Sequence, residues 1–529
     1  MTGNSDVTRL GKGCRPHARN VLGVSVIAQN DVPESQPVTC FQLFRTPMKA
    51  PDPSSTRRST RDQVDVARGD TLCRLPLEQQ FCTFTLYSQS VTRLKTMKKS
   101  VILPAALGFS LAVLVFLWHG ARLAGETRLD SPAKGVLKFT NGQWFDGQTF
   151  QSRTFYSVDG ALTSKKPLRV DEVIDLKNGY VVPPFGDAHN HYIAGSHDID
   201  KILDQYLGDG IFYAKNPASI HRDTEQIKNL INKPDSVDVI FANAGLTASG
   251  GHPVRLYDKI LIKVKTPGHD GTFENLAYYI IDNKEDLEQK WPLIMADHPD
   301  FIKTHLLYSE EFEKRRDDPA YYGNKGLDPK LLPLIVAKAH ADGLRLACHI
   351  ETAGDFRNAL AAGIDEIAHL PGYYVDPAHP DWFPITEEDA ALAARRGVDV
   401  VTTTYVSADE IKEPEELKKA QAIQIHNLSL LHNAGVKLAI GPDVYGVTSL
   451  AEAMNLYQLK VFDNLTLLKM WSEATPEVIF PKRKIGHLQE GYEASFLVLD
   501  GNPLENFANV KKIRLRLKQG SFIPHHAGK

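Results

Sequence analysis

This α/β sequence predicts a TIM-like (β/α)8 barrel with a small β-sandwich built from the two ends of the folded body. Three observations carry that reading. Eight short apolar runs alternate with helical ones through the middle of the chain, the pattern of βα units around a parallel sheet. The flanking segments read instead as alternating strands broken by Asn-Gly and Asp-Gly pairs, which are turn signals. Histidines and an aspartate recur just after several of the apolar runs, where barrels of this kind keep their chemistry.

The chain has 529 residues, 42% apolar and 24% charged, enough for a large core and more than one domain. Its 61 Lys plus Arg against 64 Asp plus Glu leave a formal charge of −3. No basic stripe accompanies that balance, which disfavours nucleic acid as a partner. Four of the five cysteines precede residue 97 and only Cys348 lies in the body, so the body is expected to fold without disulfides.

Residues 1–96 carry ten Arg and three Lys, against 15 Arg and 33 Lys in the remainder. With stretches such as PDPSSTRRSTRDQ and no sustained period, this segment is expected to be disordered or a mis-assigned extension, with Met97 as the true start. Residues 97–120 read as a signal peptide or signal anchor. Lys98 and Lys99 precede the uncharged run Val101–Trp118, which at roughly 1.5 Å per residue just crosses a bilayer core. No small-x-small cleavage site follows closely, which favours an anchor through 101–118 over a cleaved peptide. The basic flank orients the body out of the cytoplasm, giving an exported, periplasmic or membrane-anchored product.

The sandwich is expected in two parts, 134–180 and 481–529. The first holds GVLKFTNGQWFDGQ, RTFYSVDGALT and EVIDLKNGYVV; the second holds ASFLVLDGNP and KKIRLRLKQGSFI. The barrel occupies 181–480, with strands YVVPPF, GIFYA, VDVIFA, DFIKTHLL, LRLACHI, EIAHLP, VDVVTTTY and KLAIGP. Helices such as LLPLIVAKAHADG and FRNALAAGI lie between them, with a glycine at or near the end as a left-handed cap.

The strand ends supply ligand-type side chains. The first strand runs into Asp187-Ala188-His189-Asn190-His191, and alternation puts both histidines on one side. The fifth ends at His349, the sixth at His369 and the eighth at Asp443. Neutral imidazoles and a carboxylate at buried strand ends need partners, and a divalent cation is the partner that suits them all.

With these residues the chain resembles the metal-dependent amidohydrolase superfamily, in the branch of imidazolonepropionase-like hydrolases and metal-dependent dipeptidases. The likeness runs from about residue 135 to the C-terminus and includes the closing phrase EGYEASFLVLDGNPLEN. It departs at Ala494-Ser495, where the family usually has Ala-Asp. The resemblance implies that His189 and His191 bind one metal and that His349 and His369 bind a second or shared one. Asp443 then both touches metal and serves as catalytic base and acid. A water held by zinc or a similar ion has a pKa near roughly 7, and Asp443 would take its proton and pass it to the leaving nitrogen. Lys303, in DFIKTHLL, falls where binuclear relatives carry a carboxylated lysine. Carboxylation would give two ions, and a surface or salt-bridged Lys303 beside His305 would give one. By resemblance His252, in LTASGGHPV, contacts the substrate carbonyl, with an exposed loop imidazole as the alternative. Tyr192 and Tyr405 lie beside strand ends as candidates to line the pocket.

The expected activity is hydrolysis of an amide, cyclic amide or peptide-like C–N bond in a small molecule or short peptide. The nearest alternative is a metal-dependent deaminase of a heterocycle. Such relatives place a glutamate three residues after the fifth-strand histidine, whereas here Glu351 is two residues after His349 and Thr352 is third. A non-catalytic, membrane-displayed binding protein is the other class, disfavoured by the complete ligand set. His340, His426 and His432 read as structural or solvent-facing, and the charged run Glu310, Glu311, Glu313, Arg315 and Arg316 reads as a solvated helix or lid.

Overall fold

A computed structural model describes residues 135–257, 273–376 and 378–524. The expectations for 1–96 and for the 97–120 targeting segment lie outside these residues. Among the described residues, no helix is long and apolar enough to cross a membrane.

The described residues open with β1 (Leu137–Phe145), β2 (Phe150–Val158), β3 (Ala161–Thr163) and β4 (Glu172–Val182). Two of the expected turns are not turns. Asp146-Gly147 and Asp159-Gly160 do close hairpins, but Asn141-Gly142 and Asn178-Gly179 sit inside β1 and β4. Asn141 and Asn178 both have φ 55°, and the register slips beside them, so these pairs are bulges that bend the strands. Gly142 and Gly179 are required there. A Cβ at 142 would lie 2.7 Å from Trp144 Nε1, and one at 179 would lie 2.3 Å from Val498 Cγ1. The segment YVV, expected to open the barrel, belongs to β4 instead, because it pairs with the C-terminal strands.

The barrel strands follow as β5 (Phe185–Asp187), β6 (Ile211–Asn216), β7 (Asp238–Phe241), β8 (Gly245–Thr247), β9 (Tyr278–Ile280), β10 (Ile302–His305), β11 (Leu346–His349), β12 (Glu366–Ile367), β13 (Asp399–Val401) and β14 (Leu438–Ala439). The third barrel position is split. β7 pairs with β6, whereas β8 pairs with β10 and with the additional strand β9, and Asn243 at φ 56° marks the kink between the halves. Parallel pairing continues from β10 through β14. The gap between β14 and β5 is bridged where Ala188 N–H donates to the Ile440 carbonyl at 2.9 Å. Helices cap as their sequences dictate: Thr352 and Thr386 form capping boxes with Asp355 and Asp389, and Gly363 and Gly397 end those helices in the left-handed region.

After the barrel come β15 (Phe496–Leu499), β16 (Ile513–Lys518) and β17 (Ser521–Phe522). Both ends of the body thus share one sheet, ordered β17-β16-β15-β4-β1-β2-β3. It is a single continuous ladder that curls back, since Leu162 N–H donates to the Tyr492 carbonyl and Ala494 N–H to the Gly160 carbonyl. Phe139, Trp144, Phe155 and Phe496 fill its interior. Ser495, at the departure from the family's Ala-Asp, accepts from Gln519 N–H at 2.9 Å. A buried latch joins sheet to barrel: Lys518 Nζ donates to Asp238 Oδ1 and to the carbonyls of Lys233 and Ser236, each at 2.6 Å.

Candidate metal centre

The seam between β14 and β5 brings the first-strand histidines to Asp443. Gly441 permits the approach, since a Cβ there would lie 2.5 Å from the backbone nitrogen of His189. Asp443 N–H donates to the His189 carbonyl at 3.1 Å, and Asp443 itself sits at φ 51°, a conformation that costs a non-glycine residue energy and that functional sites often retain. Its carboxylate meets three imidazoles. Oδ1 is 3.3 Å from His189 Nε2 and 3.0 Å from His191 Nε2, while Oδ2 is 3.4 Å from His369 Nδ1. His369 Nε2 lies in turn 2.8 Å from His349 Nδ1. Ligand atoms of His189, His369 and Asp443 all fall within 4.8 Å of one another.

The protonation pattern of His189 is fixed by its surroundings. Nδ1 lies 2.9 Å from the Ala368 carbonyl, which can only accept, so Nδ1 carries the proton. Burial pushes the imidazole down to about 4, despite the opposing pull of Asp443, and it is therefore neutral near pH 7. Nε2 is then a bare lone pair facing a carboxylate oxygen across 3.3 Å. Two acceptors at that distance repel unless a cation lies between them. Burial also lowers His369 well below the usual imidazole range, with His349 adding to the effect. For Asp443 burial acts upward, but His189 and His369 outweigh it and hold the carboxyl well below its ordinary value. The donor set of neutral imidazoles and one ionised carboxylate fits a divalent cation.

Lys303 stands on β10 and is 2% exposed. Burial lowers its ammonium to about 8, with Asp443 opposing. Glu366, which also acts on Lys303 from β12, already accepts from Lys215 Nζ at 2.5 Å. Lys303 is thus interior and not at the surface. His252 is also inward, its ring stacked on His349 at 4.7 Å and 5.5 Å from that of His305. Tyr192 packs edge-on against Tyr445 at 5.0 Å. Tyr405 lines a separate cavity of about 390 Å³ with Gln205, Asp209 and Thr448, whose lining includes none of the histidines. It begins a short helix, Tyr405–Glu410, that carries it away from the strand end.

Three histidines expected outside the site are outside it. His340 Nε2 pairs with Asp365 at 2.8 Å, His426 bonds the Ile385 carbonyl, and His432 packs on Phe462. The charged run departs from expectation at Arg315, which is buried, pairs with Glu311 at 2.7 Å and covers the Tyr308 ring. Sequence reasoning also passed over His305, whose Nδ1 donates to the Leu246 carbonyl at 3.0 Å. Its i, i+2 relation to Lys303 on one strand was the available signal. Tyr373 was missed altogether. It stacks on His369 at 4.5 Å, and nothing in the order of residues foretells that contact.

Residues 314–520 match the amidohydrolase family. An ochratoxinase of Aspergillus niger is 27% identical over 197 residues, covering 36% of this chain and 39% of that protein; the matched stretch is thus about two fifths of the relative. The solved structure of A. niger ochratoxinase aligns over 73% of this chain and 95% of its own, with TM-score 0.58 and 18% identity. A prolidase complexed with N-methylphosphonate-L-proline aligns over 73% of this chain and 99% of its own, with TM-score 0.56 and 19% identity. The family match over residues 314–520, the shared fold and the strand-end residues agree, and together they support a place in the metal-dependent amidohydrolase superfamily.

Proposed function

We propose that this protein hydrolyses an amide or peptide-like C–N bond in a small molecule or short peptide, using one or two divalent cations, with zinc the first candidate. The observation that carries the reading is the His189 Nε2 lone pair set against the Asp443 carboxylate, with His191 and His369 on the same carboxylate. His189, His191, His349, His369 and Asp443 would hold the metal, and Lys303, once carboxylated, would join two ions. A cation bound there supplies Lewis acidity, which acidifies water and polarises a carbonyl.

The remaining work falls to the chain's own groups. Asp443 takes the proton of the attacking water on a carboxylate oxygen and delivers it to the leaving nitrogen, so the C–N bond breaks with a neutral amine departing. His252 is placed to meet the substrate carbonyl, and Tyr192 to bound the mouth. Lys303 is buried with no ion pair of its own among the described residues, which supports its conversion to a carbamate: the neutral amine adds to carbon dioxide and releases one proton, leaving an anion among imidazoles. The basic flank and apolar run of residues 97–118 support export of the body, tested by a C-terminal reporter that is active only outside the cytoplasm.

The test of the activity is a screen of N-acyl amino acids, dipeptides and lactams against zinc-loaded full-length chain. Turnover that chelation abolishes and zinc restores is expected. Turnover indifferent to chelation would remove the metal-dependent reading.

A further inference from the structure

β11 ends at His349, and the chain turns through Glu351 and Thr352 into the helix Ala353–Ala362. That turn is unusually well anchored. The Asp355 carboxylate accepts from the backbone N–H of Glu351 (3.0 Å) and Thr352 (3.1 Å), and also from Tyr308 (3.0 Å) and Ser309 (2.7 Å) beyond β10. Glu351 itself is 5% exposed. Its Oε1 accepts the Tyr373 hydroxyl at 3.0 Å and lies 3.4 Å from His349 Nε2. The Tyr373 ring stacks on His369 at 4.5 Å and meets His349 edge-on at 6.1 Å. The carbonyl of Tyr373 is held in turn by Ser407 Oγ (2.6 Å) and Gln424 Nε2 (3.0 Å).

We propose that Glu351, steadied by Tyr373, is the positioning residue that sets the tautomer of His349 and thereby makes its Nδ1 a metal ligand. A carboxylate beside Nε2 favours the proton on that nitrogen, leaving the lone pair on Nδ1. Nδ1 is the nitrogen 2.8 Å from His369 Nε2, at the point where the two imidazoles converge. Tyr373 couples the arrangement to His369 by covering its ring. In this role Glu351 acts through His349, 3.4 Å away, and is itself held by the Tyr373 hydroxyl. The inference rests on the metal reading above.

The experiment uses the full-length chain, with Zn²⁺ affinity measured by chelator competition and Co²⁺ substitution read by visible absorption. In Glu351→Gln the side-chain amide can turn an N–H toward His349 Nε2 and favour the wrong tautomer. Zinc affinity should fall roughly 10- to 100-fold and the cobalt spectrum should change, while Glu351→Asp recovers part of the loss. Tyr373→Phe should give a smaller loss in the same direction, and the double variant should be no weaker than Glu351→Gln. Wild-type affinity and an unchanged cobalt spectrum in Glu351→Gln would overturn the proposal. If that variant does not fold, Tyr373→Phe decides alone, and unchanged affinity there overturns it. A wild-type chain that binds no divalent ion overturns the metal reading and this inference together, whereas tight wild-type binding with unaffected variants overturns only this one.

Discussion

Asp443 and His189 meet as two acceptors, and this contact separates a metal site from an ordinary buried ion pair. Asp443→Asn keeps a ligand oxygen but loses the capacity to take a proton. We expect it to retain metal while kcat falls on the order of 10²-fold or more, measured by metal content beside steady-state kinetics; retained turnover would assign the proton to another group. Lys303→Ala tests the count of ions, with the metal content of the variant expected to fall from about two equivalents to about one. A second buried carboxyl makes a pH prediction. Glu452 accepts from Thr404 N–H (3.0 Å), Thr404 Oγ1 (2.8 Å) and Tyr405 N–H (2.6 Å), yet burial outweighs these bonds and pushes it up to about 7. Between its ordinary value of 4.5 and 7 the folded chain keeps a proton that the unfolded chain has released. Stability from this group therefore falls as pH rises through that window, by about 3 kcal/mol in all. Asp187, also raised to about 7 by burial, adds a loss of the same sign. Denaturant unfolding at pH 5 and pH 8 should show a smaller drop in Glu452→Gln than in the wild type, and an equal drop would contradict the assignment.

At the scale of elements, the seam between β14 and β5 holds the site together. Gly441→Ala would press a methyl group against the backbone of His189, with contacts of 2.5 to 3.0 Å to its nitrogen, Cβ and Cα. We expect a loss of about 1–3 kcal/mol in stability together with weakened metal binding, measured by denaturant midpoint and zinc titration. A variant that loses stability alone would show that the seam does not position His189. Most barrel strands were legible in the sequence, because runs such as LRLACHI and VDVVTTTY are apolar, short and bounded by turn residues. Two assignments failed for a physical reason. YVV has the composition of a barrel strand, but its partners are β15 and β1, and pairing partners distant in the chain leave no local mark. Asn141-Gly142 and Asn178-Gly179 favour positive φ in either a turn or a bulge, so local chemistry could not separate the two.

Over the whole molecule, the sheet and the barrel share buried polar links. Lys518 is fully buried and gives its three protons to Asp238 and two carbonyls. Lys518→Met leaves those acceptors short of partners, and a loss of about 3 kcal/mol is expected in urea unfolding. The ligand-type residues of the site stand at the end of an apolar run or a few residues beyond it, and that placement is what marked them in the sequence. What stayed hidden depends on loops and opposite strands: Glu351 on His349, Tyr373 on His369, and Lys215 occupying Glu366. Tyr405 was misplaced because a helix begins where the strand was expected to continue. Convergence of His189, His191, His349, His369 and Asp443 around a cation is tested most directly by metal analysis of the purified, zinc-equilibrated full-length chain. Stoichiometric zinc, about two ions per chain with carboxylated Lys303, that is lost when His189 and His191 are both changed to alanine is the result expected. A folded wild-type chain without stoichiometric metal, or a double variant that keeps the full complement, would contradict it.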